Sequence, residues 1–441
     1  MNSAVAAPPA RVPGAAEGPW SVLRGRRARV VAYGCLLAEL GVVIGFAIAY
    51  RQFDLSIYLW GGSAVTHGMR LYLVAPRANW FTYPPFAAAV FTPLAALPPL
   101  VVGVAWELTS VAALAWSCVL ALKLAGWQPS GAMVAAVTGA SFLLEPVYHT
   151  LYLGQVNLIL LALVMTDIWR AGESRSAGLG VGVAAAIKLT PGIFIVLFLL
   201  TRRTRCAVLA AGTFAGCAVL GYLVDPSASR VYWTRLFYDT ARVNPGYISN
   251  QSPYAAAVRI LGGASHVGAW YLAIPVLIGA LGLAVAATLA RRGDWLGAAA
   301  VTGTTGLLVS PISWTHHWVW IMPALLVLLR GGTGSWVAAA CGYLLFVLAP
   351  MWWTPWTWTS SQTGFHGLTT LTANCFMIAG LAFLGCMAVR TWRLEPQPRE
   401  GREPALPGAP NSAGPESAAS TNLARLATSD AAGTLSSYDL S

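Results

Sequence analysis

Long apolar runs, each bounded by Arg, Gly or Pro, recur along the chain from about residue 30 to residue 390. A stretch of about 20 apolar residues is long enough to cross a bilayer as a helix. The pattern therefore predicts an all-α, polytopic bundle of about twelve spans, at 30–50, 84–97, 100–124, 131–146, 151–168, 177–200, 206–224, 266–290, 296–310, 318–330, 335–350 and 367–390. Several of these runs are short for a bilayer, which is typical of broken helices that line a cavity.

Polar segments at both ends divide the chain into three parts. Residues 1–29 are a Pro/Ala-rich segment ending in a basic anchor, residues 30–393 are the transmembrane domain, and residues 394–441 are a tail of Pro, Ala, Ser and Gly. Low hydrophobicity predicts disorder in the tail and in most of the first segment. No cleavable signal peptide is evident, because the first apolar run is long enough to span.

Arginine clusters at the ends of the predicted spans indicate the topology. They lie at 24–29, 202–205, 291–292 and 390–393. Basic residues next to spans favour the cytoplasmic side, so both termini are expected there. Three non-spanning segments then face the outside, at 51–83, 225–265 and 351–366. We expect amphipathic helices in these outer loops.

Composition agrees with a membrane location. The 441 residues are 57% apolar and only 10% charged, whereas soluble domains carry about 25% charged residues. The net charge of +11 comes from the arginine clusters, which suit anionic lipid, so no nucleic-acid partner is expected. The seven cysteines show no CxxC or Cys/His spacing and indicate neither a disulfide framework nor a zinc site.

Asp54 is a candidate catalytic acid directly after the first predicted span. Asp and Glu total only 16 in the chain, and a carboxylate at the edge of a bilayer is costly unless it has a function. Tyr58 follows one turn on, and Gly61 and Gly62 would permit close approach of a ligand. A partly desolvated carboxylate can act as a general base. The alternative is that Asp54 caps the helix that follows it.

Three other polar segments interrupt apolar runs. Adjacent His316 and His317 could bond an acid or a phosphate, or lie at the membrane interface. Lys188 precedes Thr-Pro-Gly, which predicts a broken helix whose lysine faces a cavity and binds phosphate; a snorkelling lysine is the alternative. Gln155 and Asn157 begin a span and could bind substrate or link helices. The simple topology places these two amides inside, away from Asp54, so they are structural or the span count there is wrong.

Aromatic residues crowd the third outer segment. Residues 351–358 read Met-Trp-Trp-Thr-Pro-Trp-Thr-Trp. Tryptophan is enriched at membrane interfaces, and aromatic faces beside amides also bind sugar rings. Both roles can coexist. The chain has no Walker A sequence, no GxGxxG after a strand and no DxD, so a soluble nucleotide sugar is not the expected donor.

Six motifs together resemble one family: Phe53-Asp54-Leu55-Ser56-Ile57-Tyr58, Leu71-Tyr72, Phe81-Thr82-Tyr83-Pro84-Pro85, Gly154-Gln155-Val156-Asn157, Lys188-Leu189-Thr190-Pro191-Gly192 and Ser310-Pro311-Ile312-Ser313-Trp314-Thr315-His316-His317. The chain resembles the actinobacterial polyprenol-phosphate-mannose-dependent mannosyltransferases of the GT-C superfamily, glycosyltransferase family 87. Within that family it is most similar to the members that elongate phosphatidylinositol mannosides through α-1,2 linkages.

This resemblance implies an inverting transfer of mannose from β-mannosyl phosphopolyprenol to a phosphatidylinositol mannoside, from tetra- to pentamannoside, at the outer face of the plasma membrane. It makes Asp54 the general base. Help for the departing phosphate is assigned to Lys188, to His316 or His317, and less firmly to Arg51. The candidates for lining the substrate site are Tyr58, Tyr83, Gln155, Asn157 and Trp353. Neither a metal nor another cofactor is expected, and the partners are the two lipid substrates, membrane lipids and no second subunit.

Two alternatives remain open. A sister enzyme, which branches lipomannan or transfers arabinofuranose from a decaprenyl phosphate, would carry the same motifs. A lipid transporter or flippase belongs to a different class and should show inverted repeats with midplane charges. The chain shows no convincing repeat, and its polar residues gather towards one face.

Overall fold

The computed structural model describes residues 19–74, 79–172, 174–240, 242–357 and 362–393. Within them the chain forms α-helices and short 3₁₀ or π turns, and the described residues contain no β-structure beyond one isolated bridge between Asn250 and Trp314. The all-α prediction is confirmed. The predicted tail at 394–441 and residues 1–18 lie outside the described residues. Pro19–Arg24 forms a 3₁₀ turn, and Trp20 packs edge-on against Trp127 at 5.4 Å between ring centroids.

The helices run in chain order as follows: α1 Arg26–Ala49, α2 Phe53–Thr66, α3 Pro85–Ala95, α4 Pro99–Leu124, α5 Gly131–Phe142, α6 Glu145–Leu153, α7 Asn157–Arg170, α8 Leu179–Ile187, α9 Ile193–Leu200, α10 Thr204–Val224, α11 Pro226–Val231, α12 Pro253–Leu261, α13 Ala273–Arg291, α14 Trp295–Val309, α15 Ile321–Leu329, α16 Thr333–Leu348, α17 Leu368–Ala373 and α18 Cys375–Arg393. Short 3₁₀ turns at Thr190–Gly192, Thr315–Trp320 and Pro350–Trp353 carry or flank polar residues discussed below.

Five helices in the described part of the chain are long and apolar enough to cross a membrane: α1, α4, α10, α18 and α13 with the turn before it, Ala269–Arg291. A sixth would be α5 and α6 together, which are bent by 77° at their junction. The chain is thus a helical membrane protein, but twelve spans are not confirmed. Several predicted spans are too short or are broken by Gly and Pro, as at Lys188–Gly192 between α8 and α9.

Helix α2 lies against α3 through its two glycines. A Cβ on Gly61 would meet the ring of Phe81, and a Cβ on Gly62 would lie 2.6 Å from the backbone of Phe91 in α3. Glycine therefore permits close approach of protein atoms at both positions. The expected close approach of a ligand there is wrong, because Phe81 and α3 fill the space.

The break between α6 and α7 lies against the start of α2. Gly154 ends α6 with a left-handed backbone, at φ 69°, which glycine adopts without steric cost. A Cβ there would lie 2.7 Å from the Cβ of Gln52 and 2.8 Å from the Cβ of Leu55. Since α7 begins at Asn157, Gln155 and Asn157 directly follow the break and lie beside the first turn of α2.

Candidate active site

Asp54 occupies the second position of α2, where it is partly exposed. The residue before the helix is Gln52, which forms no side-chain cap. The capping alternative for Asp54 is therefore wrong: its carboxylate is used in a tertiary contact. Oδ2 of Asp54 accepts a hydrogen bond from Nε2 of Gln155 at 2.6 Å.

The other end of the Gln155 amide faces two tyrosines. Its Oε1 lies 2.7 Å from the hydroxyl of Tyr58 and 3.1 Å from that of Tyr83, and the two hydroxyls are 2.8 Å apart. Because a tyrosine hydroxyl donates and the amide oxygen accepts, these contacts hold the amide nitrogen towards Asp54. We call Asp54, Tyr58, Tyr83 and Gln155 the Asp54 cluster.

This contact corrects the simple topology. A hydrogen bond between Asp54 and Gln155 cannot join opposite faces of a membrane, so the predicted placement of Gln155 and Asn157 on the side opposite to Asp54 is wrong. The 77° bend between α5 and α6 and the break at Gly154 bring this part of the chain beside α2.

Burial sets the protonation behaviour of the Asp54 cluster. It raises the pKa of the Asp54 carboxyl to about 6, although the Gln155 hydrogen bond and the positive charges of His149 and Lys188 act in the opposite direction. Burial also raises the pKa of Tyr58 and of Tyr83 above the ordinary tyrosine range, so both hydroxyls stay protonated. Near pH 7 the site therefore holds a carboxylate that accepts a proton more readily than an ordinary aspartate does.

Lys188 lies at the predicted helix break, beside the Asp54 cluster. Its Nζ donates to Oδ1 of Asn157 at 2.9 Å and to Nε2 of His317 at 2.8 Å, and it lies 5.6 Å from the centre of the Tyr83 ring. We call Lys188, Asn157 and His317 the Lys188 cluster. Within the described ranges Lys188 forms no ion pair with a carboxylate. It borders a pocket that Asn157, Pro191, His317 and Trp320 also line, so its charge is available to an anion and the snorkelling alternative is wrong.

A third group of polar side chains, not singled out from the sequence, centres on the buried Glu145. Its Oε1 accepts from Nε1 of Trp352 at 2.9 Å and lies 2.8 Å from Nδ1 of His149. Nδ1 of His149 is also 3.0 Å from Oγ1 of Thr315. We call Glu145, His149, Thr315 and Trp352 the Glu145 cluster. A Glu and a His spaced i, i+4 in an apolar run was the available signal, since that spacing shares a helix face.

His316 and His317 point in different directions, as expected for neighbours on a helical turn. Their ring planes are 81° apart, with centroids at 4.7 Å. The His316 ring packs edge-on against His149 at 5.4 Å, and neither of its ring nitrogens has a hydrogen-bond partner among the described residues. Its backbone oxygen accepts from Asn157 at 2.8 Å, which links this turn to α7. No group of three His, Cys, Asp or Glu positioned to hold a metal occurs in the described parts.

Besides His316, two candidates lie outside these clusters. Arg51 is exposed, and no hydrogen bond in the described structure joins it to the site. Trp353 is 67% exposed, and its neighbour Trp352 makes the contact with Glu145 instead. Asn250 and Gln251 of the second outer segment are buried and support backbone: Asn250 donates to the carbonyl of Pro311, and Gln251 to that of Ala373. These two amides therefore hold loop backbone in place and are not exposed to a sugar.

Comparison with known proteins identifies the family and the relatives of the chain. Residues 81–311 match the profile of glycosyltransferase family 87. The chain is 33% identical, over 73% of its length and 82% of the relative, to a polyprenol-phosphate-mannose-dependent alpha-(1-2)-phosphatidylinositol mannoside mannosyltransferase of Mycobacterium tuberculosis. It is 34% identical, over 76% of its length and 84% of the relative, to a polyprenol-phosphate-mannose-dependent alpha-(1-2)-phosphatidylinositol pentamannoside mannosyltransferase of Mycolicibacterium smegmatis.

Proposed function

The chain belongs to glycosyltransferase family 87, and from this premise we propose that it transfers mannose from polyprenol-phosphate-mannose to a phosphatidylinositol mannoside with an α-1,2 linkage. The names of its relatives give the proposed donor and the class of acceptor. The polar clusters around Asp54 supply the chemistry that such a transfer needs.

The single observation that carries the mechanism is the Asp54 carboxylate held by Gln155 at 2.6 Å. In the proposed reaction the acceptor hydroxyl attacks the anomeric carbon of mannose, and the bond from that carbon to the phosphate oxygen breaks. Asp54 takes the hydroxyl proton as general base. Attack opposite to the leaving group converts the β-phosphate into an α-mannoside, and polyprenyl phosphate departs as an anion.

Lys188 is positioned to stabilise that departing phosphate. Its amine is held by the uncharged partners Asn157 and His317, and no carboxylate lies within ion-pair distance of it among the described residues. Burial lowers the pKa of Lys188, and the Asp54 carboxylate acts in the opposite direction and favours its charged form. A fixed cation beside developing negative charge is the usual way to lower such a barrier. His317 orients Lys188, and a phosphate ester of this kind needs no separate acid.

The proposed acceptor is the tetramannoside, which becomes the pentamannoside. A pentamannoside acceptor is the second candidate, because two of the relatives have phosphatidylinositol pentamannoside in their names. We place the site at the outer face of the plasma membrane, with both termini cytoplasmic and the enzyme acting as a monomer without metal. In this arrangement the shorter apolar helices, such as α14 and α16, supply the remaining spans.

The proposal is tested by incubating the purified protein with polyprenol-phosphate-mannose and either the tetramannoside or the pentamannoside acceptor. The expected result is the gain of one hexose by mass, with an α-1,2 linkage. Transfer of a pentose from decaprenyl-phosphate-arabinose, with no hexose gain, would identify the sister arabinosyltransferase. Lipid movement across vesicles without any sugar transfer would instead favour a flippase.

A further inference from the structure

The polar side chains near Asp54 form two groups with opposite electrostatic character. Lys188 has only uncharged hydrogen-bond partners, whereas His149 is paired with the carboxylate of Glu145 at 2.8 Å. Any positive charge on His149 is offset by the adjacent Glu145 carboxylate. A phosphate therefore gains little from His149 and much from Lys188.

Building on the proposed function, we propose that Glu145 positions His149 and Trp352 as a subsite for a sugar ring of the acceptor head group, next to the Lys188 cluster but with its own hydrogen-bond network. Sugar rings combine hydroxyls with apolar C–H faces. A neutral hydrogen-bonding pair next to an aromatic face matches that chemistry better than it matches phosphate.

The geometry of the Glu145 cluster suits this task. One carboxylate oxygen, Oε1, accepts from Trp352 Nε1 and lies within hydrogen-bond distance of His149 Nδ1. Glu145 itself is fully buried, whereas His149 and Trp352 are partly exposed. The buried acid thus fixes two side chains that present their other edges outwards. The ring centroids of His149 and Trp352 are 5.6 Å apart and their planes are 72° apart, which makes a corner rather than a flat surface.

The corner continues into a second exposed indole. Trp352 contacts the exposed Trp356 edge-on at 5.4 Å, and the buried Tyr247 packs against Trp352 with its ring centroid 6.3 Å away. An acceptor that already carries several mannoses is long enough to extend over such a surface while its reacting hydroxyl reaches Asp54. His149 lies in α6, which ends at Gly154 against Gln52 and Leu55 at the start of α2, so the corner is carried by the helix that packs beside the base.

The experiment compares Michaelis constants for the two substrates in His149→Ala, Trp352→Phe and Trp352→Ala. We expect the KM for the phosphatidylinositol mannoside to rise roughly tenfold, the effect of losing one hydrogen bond or stacking contact, while the KM for polyprenol-phosphate-mannose stays unchanged. Trp353→Ala, in the exposed neighbour, should change the acceptor KM much less. A rise in the donor KM, or equal effects at Trp352 and Trp353, would overturn the subsite.

Glu145 is tested as a positioning residue. Glu145→Gln keeps an oxygen that can accept from His149 and Trp352, and it should retain much of the acceptor affinity that Glu145→Ala loses. Thermal unfolding checks that both variants fold. If the two variants are equally impaired in acceptor KM, the positioning role is wrong.

A direct binding measurement separates this inference from the proposed function. Purified protein in nanodiscs is titrated with phosphatidylinositol tetramannoside, without donor, and tryptophan fluorescence is followed. Binding by the wild type that His149→Ala and Trp352→Ala both weaken supports the subsite even if no mannose is transferred. Binding that neither variant alters would overturn the subsite, while transfer by the wild type would leave the proposed function standing.

Discussion

At the residue scale, the chemistry depends on how one carboxylate is held. Asp54 receives a hydrogen bond from Gln155, and two tyrosines hold the far end of the same amide. Three short contacts join Tyr58, Tyr83 and the amide oxygen, but the two hydroxyls have only two protons between them. At any moment one of the three contacts therefore has no proton between its atoms. Either tyrosine can donate to the amide oxygen while the other donates to its partner hydroxyl, and the amide stays held in both arrangements.

Replacing Asp54 by Asn tests the general base. The amide cannot take a proton from the acceptor, so mannosyl transfer should fall by about 10²–10⁴-fold, the usual contribution of general base catalysis. Asp225→Asn is the matched control: Asp225 caps α11 by accepting from the amide of Ala228, and Asn can do the same. Near-normal turnover in Asp54→Asn, with an unchanged melting temperature, would contradict the assignment.

The pH dependence follows from the same residue. Since the pKa of Asp54 is raised to about 6 and the base must be ionised, kcat/KM should fall as pH decreases below about 6, by about tenfold per pH unit. Above that value this group adds no further change. The control is Asp54→Asn, whose residual activity should lack the same inflection; an inflection that persists there belongs to another group.

At the element scale, the break between α6 and α7 decides where the amides lie. Gly154 adopts φ 69° and has Gln52 and Leu55 against it. Gly154→Ala adds both backbone strain and a clash, which should displace Gln155 from Asp54 and lower activity more than tenfold while reducing the melting temperature. Assays of transfer and thermal unfolding measure the two effects.

Gly68→Ala provides the matched control for that substitution. Gly68 has a similar backbone, at φ 62°, but nothing lies within 4 Å of its Cβ position. It should show the strain alone, about 1 kcal/mol in the free energy of unfolding, with activity close to wild type. Equal loss of activity in both variants would mean that the contact of Gly154 with α2 does not position the amides.

The sequence predicted some of these elements and not others, for physical reasons. The Thr-Pro-Gly that follows Lys188 predicted the helix break, because Pro removes a backbone donor and clashes with the preceding turn. The change of chain direction near Gly154 could not be predicted, because hydropathy reports how apolar a segment is and not where it turns. Glu145 and His149 were missed since they lie within an apolar run. Trp352 and Trp353 are identical in sequence terms, and only packing distinguishes the one that contacts Glu145.

At the scale of the whole molecule, the remaining prediction concerns sidedness. In a chain without the exposed cysteines Cys35, Cys341 and Cys386, Ser56→Cys should react with an impermeant maleimide added outside intact cells. Arg205→Cys, in an arginine cluster predicted to be cytoplasmic, should react only in inside-out vesicles. Labelling of Ser56→Cys exclusively in inside-out vesicles would reverse the proposed orientation.

The amide of Gln155 has a consequence for product identity. It donates to one carboxylate oxygen of Asp54, which makes the other oxygen the stronger acceptor for an incoming hydroxyl. A mannose ring offers several hydroxyls of similar acidity, and a base with two equivalent oxygens could reach more than one of them. Because one oxygen is favoured and its direction is fixed, the choice of hydroxyl depends on a glutamine that need not touch the sugar. A substitution that weakens the hold of the tyrosines on Gln155 should therefore first give a product with mixed linkages, and only later a lower rate of transfer.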